Sequence, residues 1–143
     1  MSYLLVGYAA KQEITQFNHN APQKVCTAKH EAVKDSFLTA LQEGFGKSNL
    51  ETEVIRGVYE KKHGMYYPQI YTNELSGCDA IAFYVANWSW DFTIYMSFAN
   101  IWVTDIGMTK KIAQATYQTG GGPDKFINAH NKVLELVNQM YGL

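Results

Sequence analysis

Cysteine is scarce in this chain: Cys26 and Cys78 stand far apart, without His or Cys partners at ligand spacing, so no zinc site is built from them. Two unlinked, buried thiols is the plainer expectation, and a Cys26–Cys78 disulfide the alternative in an oxidising compartment. No apolar run reaches the roughly 18 residues that span a bilayer. No charge of one sign dominates. Twelve basic against thirteen acidic residues leave a formal net charge of -1. That excludes a surface that tracks nucleic-acid phosphates, and also a polybasic membrane patch. Catalytic grammar is missing too. There is no G-x-S-x-G, and His19, His30, His63 and His130 form neither H-x₃-H nor H-E-x-x-H. No cofactor motif is present. No signal peptide precedes Tyr3–Tyr8. Either Met1 is the native start and the chain is cytoplasmic, or a leader was replaced by a start methionine.

What is there is apolar and aromatic. Hydrophobic residues make up 47% and aromatics 14%, ten of them Tyr, in a length suited to one domain over 1–143. At this size roughly 68% of the unfolded surface can be buried, enough for a core without staples. The densest run, Asp79–Asp105, reads as two long strands, 78–87 and 91–104, meeting in a turn shouldered by Trp88 and Trp90. Strands are also expected at 3–9, 52–61 and 110–119. Val33, Phe37, Leu41 and Phe45 recur at spacing four, which predicts a helix over 28–45 capped by Thr27. Pro68 opens a predicted short helix to Leu75, and Pro123–Tyr141 is a final amphipathic helix. Lys11–Thr27 reads as a long polar loop. The expected fold is α+β, a two-layer sandwich of five mixed strands and three helices in the order β-α-β-α-β-β-β-α.

Gly77-Cys78-Asp79, Trp88-Ser89-Trp90-Asp91, Tyr95–Ala99, Gly120-Gly121-Gly122 and Lys125–Ala129 resemble a family of small proteobacterial lipoproteins of unknown function. Its core is similar to the N-terminal α/β domain of TolB-type proteins and of the curli-secretion lipoprotein. The resemblance runs from about residue 53 onward. It implies export to the periplasm and a lipid anchor at the outer membrane through a cysteine before the first strand, which this chain does not have.

The candidate binding residues are Trp88, Trp90 and Asp91 at the hairpin and Gly120, Gly121 and Gly122 before the last helix. Trp88 and Trp90 share one strand parity, so their rings either cap the core together or form a sticky tip together. The glycines free backbone N–H groups near a helix start, but they lack P-loop spacing and also serve as a plain turn. The reading is a non-enzymatic envelope domain that works by protein–protein contact or self-association. The alternatives are a small-ligand binder with a cleft between the Trp88/Trp90 hairpin and the Gly120–Gly122 loop, and an immunity-type inhibitor.

Overall fold

A computed structural model describes residues 10–18, 21–47, 51–70, 77–122 and 125–142. Along the chain these form β1 (Lys11–Thr15), β2 (Lys24–Lys29), α1 (Asp35–Lys47), β3 (Glu51–Lys62), β4 (Met65–Ile70), β5 (Ala80–Asp91), β6 (Thr93–Asp105), β7 (Lys111–Gln118) and α2 (Ala129–Met140). The strands make one seven-stranded mixed sheet in the order β1-β7-β6-β5-β2-β3-β4. β2 runs parallel to both β3 and β5, and the other neighbours are antiparallel.

The expected five strands and three helices are therefore corrected, among the described residues, to seven strands and two helices, and the β-α-β-α-β-β-β-α order to the one above. Three misread segments account for the difference among the described residues. Lys11–Thr27 is not a loop: it holds β1 and most of β2. The helix does not begin at Ala28, because Lys24–Lys29 is a strand buried on both faces; α1 starts at Asp35, whose carboxylate suits the positive helix end. Pro68 does not open a helix. It lies in β4, opposite Tyr59, on an edge strand where a missing N–H costs no ladder bond. The strand expected at 3–9 lies outside the described residues, as do 71–75 of the short helix.

Both helices cover one face of the sheet. Phe37, Leu41 and Phe45 of α1 and Val133, Leu136 and Val137 of α2 pack on Val25, Ala82, Tyr84, Ile101, Ala115 and Tyr117. Each fully buried large apolar side chain contributes about 1.5–3 kcal/mol. Alanines at the sheet surface leave room for the helices. Gly44 serves the same end between them, since a Cβ there would stand 3.0 Å from Val137 Cβ. Asn128 starts α2 by accepting the Asn131 N–H at 3.0 Å.

The other face is thinner. Cys26, Ala28, Ile55, Cys78, Ile81 and Phe83 cluster there, flanked by Tyr59, Ile70, Trp102 and Met108, with no helix among the described residues over them. Cys26 and Cys78 are joined in a disulfide, Cα–Cα 5.8 Å, which ties β2 to the residue pair leading into β5. Gly57 sits at the tightest strand approach: a Cβ would meet Ala28 Cβ and the Lys29 carbonyl oxygen at 2.9 Å.

Candidate functional site

The β5–β6 hairpin carries the residues singled out by sequence, and it treats the two tryptophans oppositely. Where Asn87 gives way to Trp88 the register skips Ser97 of β6, so β5 keeps its own alternation and Trp88 and Trp90 stay on one face. Trp88 turns toward the helices, edge-on to Phe37 at 6.4 Å with Lys34 Nζ 5.1 Å over its ring. Trp90 stays out, 72% exposed. The two rings share a face, as parity predicts, but only Trp88 is covered by α1, and Trp90, nearer the turn, is left open.

Beyond Trp90 the tip is more apolar still. Asp91 pairs with Thr93, so Phe92 alone turns the chain, at φ 62 and 92% exposed. A bulky aromatic in the left-handed region is unusual and costs about 1–2 kcal/mol. Ile94, opposite Trp90, is 54% exposed. Trp90, Phe92 and Ile94 together make a contiguous apolar tip. Phe92 was not among the sequence candidates. Its only signal was an aromatic residue where a turn residue belongs.

The base of the tip is held by the segment after β7. Thr119 donates its N–H to the Ser97 carbonyl at 3.0 Å, and the chain then runs through Gly120, Gly121 and Gly122 to Lys125. Lys125 donates to the Asp91 carboxylate, which raises the lysine pKa, and its ammonium lies 5.3 Å from the Tyr95 and Phe126 ring centres. The structure thus brings Asp91 close to the chain that follows the glycines. Pro123 and Asp124 lie outside the described residues. The void beside Trp88 measures only about 10 Å³, too small for a ligand.

Larger clefts lie elsewhere. One of about 290 Å³ sits on the thin face at the far end of the same hairpin, lined by Tyr67, Pro68, Phe83, Trp102, Met108 and Thr109. Phe83 and Trp102 stack on its floor at 5.6 Å. The β6–β7 turn beside it is organised by Asp105, which accepts from Thr109 N, Thr109 Oγ1 and Lys110 N. Those bonds, the Thr109 hydroxyl first, hold the Asp105 carboxyl below its ordinary pKa.

A second cleft, about 330 Å³, lies where β2 ends at His30. His30 is 4% exposed and stacks on Tyr59 at 4.0 Å, with Tyr66 edge-on at 4.8 Å. Its backbone N–H donates to Tyr84 Oη at 2.9 Å, and its Nδ1 accepts the Ala32 N–H at 3.2 Å. That leaves the neutral proton on Nε2, which is buried without a partner. Burial pushes the His30 pKa below its ordinary value near 6.5, with Glu31 pulling weakly upward. The unfolded chain therefore takes up a proton first, so this stabilisation is full above about pH 6.5 and is lost as pH falls through the lowered value. Wild type is expected to melt earlier at about pH 5 than at about pH 7.5, and His30→Gln to show a smaller difference. Thermal melts of the two proteins at both pH values check this; equal slopes would refute it. The comparison also separates His30 from His130, which faces Glu43 on α1.

Among the described residues no cluster of three His, Cys, Asp or Glu side chains is placed to hold a metal ion. No helix among them is long and apolar enough to cross a membrane.

No protein-family model matches this chain, and no curated protein matches it. Solved structures do. The chain is similar to the PelC dodecamer from Paraburkholderia phytofirmans in a P6 crystal, with TM-score 0.59 and 8% identity over 92% of this chain and 94% of that one. A leucine-to-methionine variant of that dodecamer, in a C2 crystal, matches with the same figures. At that identity the likeness is one of fold: this chain folds as the PelC subunit does.

Proposed function

We propose that this chain is a non-enzymatic module of the bacterial envelope that acts through protein–protein contact, copies of itself included. The observation that carries the reading is the tip of the β5–β6 hairpin, where Trp90, Phe92 and Ile94 face solvent at a strained turn. Contiguous apolar surface of this kind is rare on a monomer and common at interface cores. Two further facts support it. The Cys26–Cys78 disulfide suits an oxidising compartment such as the periplasm, where the lipoprotein resemblance also points. The solved neighbour of like fold is a dodecamer.

Sedimentation velocity over a wide concentration range tests the reading. Wild type is expected to sediment as an oligomer. A variant with Trp90, Phe92 and Ile94 all replaced by Ser is expected to be monomeric with an unchanged melting temperature, since none of the three lies in the core. A wild type that stays monomeric at every concentration overturns self-association.

A further inference from the structure

We infer that copies of this chain join head to tail, with the Phe92 tip of one copy seated in the Phe83–Trp102 cleft of the next. The inference rests on the self-association reading above and names its contact.

Tip and cleft are built from the same two strands, at opposite ends. Phe83 pairs with Trp102 near one end of the β5–β6 ladder, and Phe92 turns the chain at the other. Nine residues of strand at about 3.3 Å each put roughly 30 Å between them. A hydrogen-bonded ladder does not fold back over that distance, so the cleft of one molecule cannot receive its own tip. Any tip it receives belongs to another copy.

The two surfaces match in size and character. At about 290 Å³ the cleft has the volume of roughly ten waters at about 30 Å³ each, room for one large aromatic side chain. Its floor is the Phe83–Trp102 stack, and Tyr67, 45% exposed, stands at its side. Met108 adds an adaptable thioether that repacks around a ring. Phe92 is the most exposed large apolar residue described, and it is presented on a turn that points its neighbours Trp90 and Ile94 outward with it.

Area sets the expected strength. Trp90 and Phe92 bury about 150–250 Å² each when enclosed, against about 800 Å² per partner in a stable interface. The tip thus supplies the central anchor, and surrounding residues supply the rest. An interface whose donor and acceptor lie on different patches of one molecule is heterologous, and it propagates until it closes into a ring or extends as a filament.

That asymmetry gives a sharp test. Phe92→Ser removes the tip; Tyr67→Glu and Met108→Glu each place a charge in the cleft without touching the helix-covered core. Each variant is checked for an unchanged melt and then run alone in sedimentation velocity. Each is expected to weaken self-association at least about tenfold, the loss of one interface anchor. Mixed, Phe92→Ser and a cleft variant are expected to form a one-to-one dimer and stop there, because each such pair retains one intact tip and one intact cleft. If wild type associates and Phe92→Ser does not, but both cleft variants still assemble and the mixture makes no dimer, the tip docks elsewhere and the inference is overturned while the broader reading stands. If wild type is a monomer throughout, this inference and self-association fall together.

Discussion

Replacing Cys26 and Cys78 together by Ala is expected to lower the unfolding free energy by about 4 kcal/mol, close to what chain entropy assigns to a closed loop of this length. The bridge spans 52 residues, a separation that takes in α1, β3 and β4. Without it the unfolded chain regains the freedom of that loop. The folded chain loses the covalent tie on its thin face, where a small cluster must hold β2 against β5. Guanidinium titration of oxidised and reduced wild type, beside the double variant, measures the effect. The reduced protein and the variant should unfold at similar, lower denaturant concentrations. Coincident curves for oxidised and reduced protein would show that the bridge contributes nothing.

Tyr84→Ala should be the most damaging single substitution outside the disulfide, at about 3–5 kcal/mol for the lost ring. Tyr84 is 1% exposed and stacks on Phe37 of α1 at 5.2 Å, so its ring fastens the first helix to the centre of the sheet. Its hydroxyl accepts the His30 N–H, and burial raises its pKa above the ordinary tyrosine value. Tyr84→Phe keeps the ring and leaves the His30 N–H without an acceptor, for a smaller loss of about 1–3 kcal/mol. The pair of variants separates packing from hydrogen bonding, read as denaturation midpoints by circular dichroism. A Tyr84→Phe protein as unstable as Tyr84→Ala would mean that the hydroxyl, not the ring, is what matters.

The sequence made some of this legible and hid the rest for physical reasons. β5, β6 and β7 were readable because long apolar or alternating runs leave little else to form, and they do lie as an antiparallel meander. β1 was hidden because Ile14 is its single apolar residue: one residue sets no period, and ladder bonds to β7 supply the rest of its hold. β2 was hidden by brevity: six residues buried on both faces show no period, and Val33 happens to continue the helical spacing of α1 backwards. At the tip, parity put Trp88 and Trp90 on one face correctly, but parity does not say where the helix cover ends, and α1 reaches Trp88 and not Trp90. The Cys26–Cys78 pairing follows only once β2 is known to lie beside β5, which residue spacing does not reveal.

The sheet also sets a timetable for biosynthesis. Ile14 of β1 finds its partner, Ala115 of β7, about a hundred residues later in the chain. During synthesis the first described strand is therefore made long before the strand it pairs with. It must wait, polar and unpaired, until β7 has emerged, and non-local pairing of this kind is intrinsically slow. Its Lys11 and Glu13 suit that wait, since charged residues on an idle strand discourage pairing with other chains. The β2–β3, β3–β4 and β5–β6 pairs have both partners in hand before β7 exists, so the sheet is assembled from its middle and one edge, and the β1 edge is the last of the described strands to be seated.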